Sequence, residues 1–340
     1  MHAAVLACAA STQPLALPLT WHAPLEPVPP VLGAWNASIL VGTHHKTGTV
    51  LLAKVFRLAS KLIGVPRSKA NKTSTAGACA QLFESHAAGV CIEEHTSVLT
   101  LRHWLSPGAP FIHVVRDPLE MCVSAYLYHL HGAEPWLLLP HAELRGKTLQ
   151  QFYRDASQAD GVRFECTRMM SELVDEALVR NATARRGALT LYFEDFTPDF
   201  DGTMRRIFEY LDSREKVGQL VTLASEYDLT RHSAHDERHV SAADAKQPLR
   251  DILFSDPLLR EVITGLRVLL GYSNETAPQR SVLCENLRKL CATTHVGFIT
   301  WCPNGRVLLG KLQSFPECGE ANVRGASHQV VLTNYTKPIT

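Results

Sequence analysis

The chain has 340 residues, of which 46% are hydrophobic and 20% charged, with a formal net charge of +1. That composition excludes a disordered or collagen-like chain, and the length suits one large domain or two smaller ones. The near-zero charge gives no support to a nucleic-acid partner, and no apolar run approaches the ~18 residues that a transmembrane helix needs.

The first residues, MHAAVLACAASTQ, pair a short apolar stretch with an Ala-Cys-Ala step, as a secretory signal segment would, although no Lys or Arg precedes it. The alternative there is a disordered tail; prolines at 14, 18, 24, 27, 29 and 30 forbid a helix, so the rest of 1–35 is expected to be a Pro-rich linker. The apolar run 37–42 (ASILVG) predicts a buried strand ending at glycine. Leu51, Val55, Leu58 and Leu62 then fall at helical spacing, and Gly64 and Pro66 end that helix. Strands are predicted at 89–95 (GVCIEEH) and 110–117 (PFIHVVRD). After the second, Asp117 is expected to cap a helix, with Pro118 in its first position and Glu120 completing a capping box. Two helical stretches occupy much of 147–181. A strand at 188–195 (ALTLYFED) and helices at 203–211 and 258–272 follow. Strands alternating with helices imply a parallel sheet covered on both faces, an α/β domain over 36–273. Residues 274–340 are expected to form a linker and a Cys-bearing C-terminal appendage.

None of the nine cysteines is spaced C-x-x-C, which gives no support to a zinc ribbon or a thioredoxin motif. Cys79 and Cys91 are a candidate bridge. Cys122 and Cys166, in helical stretches, are expected to be reduced and buried. Cys284, Cys291, Cys302 and Cys318 allow three pairings in a tail too small to hold itself together without staples or docking. Five of the eight asparagines (36, 71, 181, 274 and 334) sit in N-x-[ST] sequons, where about one is expected by chance. The expectation is folding in the lumen of the secretory pathway, with the Golgi as the compartment. The alternative is a cytoplasmic protein with free thiols.

Chemistry concentrates at two strand ends. In GTHHKTGTVLL (42–52), Lys46 precedes Thr47, Gly48 and Thr49, whereas a Walker loop puts its lysine after the last glycine. A glycine and small hydroxyl residues at a helix N-terminus let backbone N–H groups converge on an anion. The bland reading is a strand-to-helix turn with a surface lysine. At the second strand end, VVRDPLEMCVSAY places Arg116 eight residues before Ser124. An arginine fork suits phosphate, and a serine can donate to the same group. Alternatively Arg116 pairs with a helix-capping acid and Ser124 bonds back to its own helix.

Together these segments resemble sulfotransferases that use 3′-phosphoadenosine 5′-phosphosulfate (PAPS). In that family a K-[ST]-G-[ST] loop holds the 5′-phosphosulfate, matched here by Lys46, Thr47, Gly48 and Thr49 with His45 and Val50 beside them. An R-x₇-S pattern with a following tyrosine holds the 3′-phosphate, matched by Arg116, Ser124 and Tyr126. YFEDF (192–196) resembles a later strand end, with Phe193 in a tyrosine position. The resemblance implies a three-layer α/β sandwich with a central parallel sheet, the P-loop NTPase-like sulfotransferase fold. It also implies PAPS as sulfuryl donor without metal. His95 stands where cytosolic relatives carry a catalytic histidine, and Glu93 or Glu94 is placed to orient it. Because several Golgi-type relatives use a glutamate, Glu94 is the second candidate base. The chain departs from many cytosolic members: His45 replaces a proline, Val50 replaces a second threonine, and the late R-K-G-x-x-G segment is absent. Arg231, Arg238, Lys246 or Arg250 are candidates to supply its phosphate contacts. The expected acceptor is a glycan or a small hydroxylated molecule, with its pocket among loops 65–88, 130–147 and 228–248. Rival readings are a nucleotide-binding P-loop kinase and a catalytically inactive secreted binding module.

Overall fold

The apolar run after Ala37 becomes the central strand of a parallel sheet in the computed structural model. The structure describes residues 28–300 except 66, 69–76, 99–100, 102–108, 133, 142–143, 184–186, 214, 229, 232–242, 273–279, 294 and 297–298. The expected signal segment, most of the linker, Arg238, Cys302 and Cys318 therefore lie outside the described residues.

The strands of the main sheet are β1 (Ser38–Thr43), β2 (Arg67–Ser68), β3 (Gly89–Glu94), β4 (Phe111–Val115) and β5 (Leu189–Tyr192). They pair in parallel in the order β2-β3-β1-β4-β5. Parallel pairing needs crossovers, and the helices supply them on both faces. These are α1 (Thr49–Ile63), α2 (Gly77–Glu84), α3 (Pro118–His131), α4 (Leu149–Asp155), α5 (Gln158–Thr183), α6 (Phe200–Tyr210), α7 (Val217–Ala224), α8 (Ala243–Ser255), α9 (Pro257–Leu269) and α10 (Arg280–Thr293).

Period-2 alternation sorts β1 between the layers. Ile39 and Val41 join Ile112 and Val114 against Leu52, Val55 and Phe56 of α1 and the apolar faces of α6 and α7. Leu40 points the other way, toward Phe111, Leu82, Phe83 and Val179. On that same side α3, α5, α8 and α9 bury a large cluster that includes Met121, Met170, Leu173 and Ile263. Each fully buried Leu, Ile or Phe contributes about 1.5–3 kcal/mol by leaving water. The α/β class and three-layer arrangement expected from the sequence are what the structure has. Leu283, Leu287 and Leu290 of α10 join the cluster of α9, so this helix docks on the sheet-bearing core.

Two local expectations are corrected. Asp117 does cap α3, accepting from the Leu119 N–H at 2.9 Å. Glu120 does not close a capping box: it pairs with Arg250 Nε at 2.6 Å, and the Asp117 N–H donates to Glu194 instead. Cys122 and Cys166 are fully buried as expected, but they form a disulfide rather than two thiols. Helices α3 and α5 pack so closely there that the two Cα atoms are 4.6 Å apart. The expected pair Cys79–Cys91 is also bonded, with Cα atoms 5.7 Å apart.

Candidate active site

Ligands of open parallel sheets sit beyond the carboxyl ends of the strands. Three segments leave those ends here: 44–48 after β1, 95–96 after β3, and 116–117 after β4. Thr43 and Glu94 are register partners, so the first two segments start side by side.

The 44–48 loop is held by its own hydroxyls. Thr47 Oγ1 accepts from the His44 N–H at 2.7 Å and donates to the His44 carbonyl at 2.9 Å. Thr43 and Thr49 join hydroxyls at 2.9 Å. Lys46 and Gly48 both adopt left-handed backbone, with φ of 66° and 91°. Gly48 is the N-cap of α1, so no side-chain oxygen caps the helix, and no acid stands in its first turn. The first N–H groups of an α-helix have no intrahelical partner, so this end favours an anion. A Cβ on Gly48 would lie 3.0 Å from the Phe193 ring. Thr49 and Val50 open α1 and are half-buried.

Arg116 closes the loop from the other side. Its guanidinium donates to the Lys46 carbonyl at 2.7 Å and lies 4.5 Å over the Phe193 ring. Its Nε is buried with no hydrogen bond, 3.9 Å from a Glu194 oxygen. Burial lowers its pKa, and the carboxylates of Glu194 and Glu120 oppose that. The Lys46 ammonium rests 3.6 Å over the Tyr128 ring. Lys246 of α8 belongs to this corner: burial and then the Arg116 charge lower its pKa. Arg250, one turn on, holds Glu120. Arg231 pairs with Asp201 and Asp228 instead. Ser124 is buried on α3, and no hydrogen bond joins it to Arg116. Tyr126 turns into the core, packing edge-on to Tyr153 and against Gly161.

Histidines and carboxylates line the remaining wall. His45 Nε2 meets His129 Nε2 at 3.0 Å, and His45 Nδ1 is 3.7 Å from Glu94. Burial drops the His45 pKa to about 4, so this ring is neutral. His95 also has left-handed backbone, and its Nδ1 lies 2.8 Å from Glu172. Partial desolvation by its neighbours lowers the pKa of this exposed ring, but Glu172 and then Glu94 outweigh that and raise it to about 9. The hydrogen-bond partner of His95 is therefore Glu172 of α5 rather than the expected Glu93 or Glu94, while Glu94 contributes to the raised pKa as expected. Burial pushes Glu93 up to about 8, against the opposing charge of His95. Glu172, Glu176 and Glu165 were not singled out from the sequence. Their spacing of seven and four puts three acids on one face of α5, which is a readable sign. Among the described residues no group of three or more His, Cys, Asp or Glu side chains could hold a metal ion. No helix among them is long and apolar enough to cross a membrane.

Residues 91–215 match the family model described as the sulfotransferase family. That span takes in His95, Arg116, Ser124 and Phe193 and begins after the Lys46 loop. One matching solved structure is the crystal structure of mouse sulfotransferase SULT7A1 complexed with PAP. It is 14% identical, with a TM-score of 0.38, over 80% of this chain and 88% of that one. No curated protein matches the chain.

Proposed function

From a chain that carries a sulfotransferase-family domain, we propose an enzyme that moves a sulfuryl group from PAPS to an acceptor hydroxyl or amine. The observation that carries this reading is the 2.7 Å hydrogen bond from Arg116 to the Lys46 carbonyl. It joins two motifs 70 residues apart into one anion-binding corner. The residues present suit a doubly anionic nucleotide. The open N-terminus of α1 and the hydroxyls of Thr47 and Thr49 would take the 5′-phosphosulfate, with His45 and Val50 flanking it. The orphaned Nε of Arg116, with Ser124 and the nearby Lys246, would take the 3′-phosphate.

PAPS supplies the activated sulfuryl group. Lys46 would stabilise the negative charge that grows on the bridge oxygen as the acceptor oxygen bonds to sulfur. A transferring sulfuryl group carries less charge than a phosphoryl group, which lessens the need for Mg²⁺ and suits a loop without the Walker order. His95 would take the acceptor proton. Its high pKa means that it must first lose its own, so Glu94 remains the second candidate base. A glycan in the secretory lumen is the favoured acceptor, supported by the sequons and by two buried disulfides. A small hydroxylated molecule is next.

The test is incubation of the full chain with radiolabelled PAPS and pools of glycan and small-molecule acceptors. Label should move to an acceptor, and 3′,5′-ADP should bind where ATP with Mg²⁺ does not. Binding of 3′,5′-ADP without transfer to any pool would favour an inactive binding module. Preference for ATP with Mg²⁺ would favour a kinase.

A further inference from the structure

We propose that Glu172 is a positioning residue, whose single carboxylate fixes both His95 and the backbone of the phosphate loop. Its role in turnover rests on the sulfotransferase reading; the tether itself does not.

The geometry is that of a strap across two neighbouring strand ends. Glu172 Oε1 accepts the His45 N–H at 3.1 Å and lies 3.4 Å from His44 Nδ1. The same carboxylate takes His95 Nδ1 at 2.8 and 2.9 Å. His44 and His95 directly follow the register partners Thr43 and Glu94 on adjacent strands. The strap therefore spans segments that the sheet already sets side by side.

Each segment has a reason to need holding. Lys46 and His95 are non-glycine residues in left-handed backbone, a conformation that L side chains disfavour. The His95 side chain is 59% exposed, so packing alone does not set its rotamer, whereas the Glu172 side chain is 13% exposed. Burial alone would raise the Glu172 pKa, but the charge of His95, the His95 hydrogen bond and the close approach of His44 Nδ1 keep it well below the usual carboxylate range. A carboxylate on Nδ1 fixes the proton there and leaves Nε2 as the nitrogen that can exchange one with an acceptor. The strap thus sets the base's tautomer and the position of the Lys46 loop together. Losing it would displace both halves of the chemistry.

The variant to make is Glu172→Gln in the full chain, read three ways. Titration of the His95 imidazole by NMR, assigned with His95→Gln, should fall from near 9 toward its ordinary value. Calorimetry with 3′,5′-ADP should show weaker binding, because the loop loses its anchor. The kcat/KM profile should shift to lower pH with the His95 titration, and its plateau should drop roughly 10²-fold through misplacement. A merely structural carboxylate would reduce the folded fraction without moving that profile. An unchanged His95 titration, or unchanged 3′,5′-ADP affinity, would overturn the proposal. Should Glu172→Gln not fold, Glu172→Asp keeps the charge and retracts it by one methylene, and wild-type values for both the His95 titration and the 3′,5′-ADP affinity would be equally fatal. If the wild-type protein binds no 3′,5′-ADP, the sulfotransferase reading fails, and the His95 titration alone decides the strap.

Discussion

At the scale of single residues, charge placement separates holding a ligand from acting on it. Lys46→Ala should cut transfer by about 10²-fold or more, because a partner of transition-state charge is lost. Binding of 3′,5′-ADP should weaken less, and equal losses in rate and affinity would show that Lys46 only holds ligand. Arg116→Ala should weaken 3′,5′-ADP by roughly 1.5–3 kcal/mol, the worth of a charge-assisted hydrogen bond. Calorimetry should find a smaller loss for a nucleotide without the 3′-phosphate, and equal losses for the two would break the assignment of Arg116 to that phosphate. Because Arg116 also braces the Lys46 carbonyl, part of the loss will remain for both nucleotides. His95 makes a prediction in pH. Its folded pKa of about 9 lies above the ordinary value of 6.5, so the favourable interaction of its charged form is present below 6.5 and is lost as pH rises through 9. A base must be neutral to act, so kcat/KM should climb from pH 7 to 9 and then level. A profile flat over that range would move the base to Glu94. Sequence reasoning singled out Lys46 and Arg116 because each stands in a local pattern at a strand end, and His95 through the family resemblance. It missed Glu172 because the helical spacing of Glu165, Glu172 and Glu176 marks a shared face of α5 but does not name a partner 77 residues away.

At the scale of elements, the strand–loop–helix unit from β1 to α1 depends on backbone shape more than on side chains. Gly48 combines a φ of 91° with the Phe193 ring 3.0 Å from where a Cβ would stand. Gly48→Ala should therefore cost about 1–2 kcal/mol from the left-handed conformation alone. The ring contact adds to that and displaces the loop. Denaturant unfolding should show the stability loss, and 3′,5′-ADP affinity should fall with it. An alanine variant with wild-type affinity would mean that the loop needs no glycine here. The cap of α3 was legible because Asp117 and Pro118 act within their own turn. The capping box was not, because Glu120 found a stronger, charged partner in Arg250, 130 residues away. Local rules hold until a distant ion competes for the same side chain.

At the scale of the whole molecule, one disulfide, Cys79–Cys91, joins α2 to the nearby strand β3, and a second ties two helices that the chain order keeps apart. Cys122–Cys166 joins α3, which follows Arg116, to α5, which carries Glu172, and closes a separation of 44 residues. Removing both sulfurs as Cys122→Ala/Cys166→Ala should cost about 2–4 kcal/mol by restoring freedom to the unfolded chain. Urea unfolding of the oxidised wild type against the double variant measures it, and equal midpoints would show that the pair is not bonded in the folded protein. The same bond bears on compartment, since such links persist where thiols are oxidised. By itself the sequence determined the alternation of strands and helices, the buried central strand and the loop chemistry at its end. Apolar periodicity, caps and glycine placement act within a few residues and can be read without neighbours. Only the tertiary structure decided that Arg116 braces Lys46, that Tyr126 turns into the core, that Cys122 meets Cys166, and that Glu172 meets His95. Those outcomes depend on which surfaces of α3 and α5 face the sheet, and packing of distant segments sets that rather than any local preference.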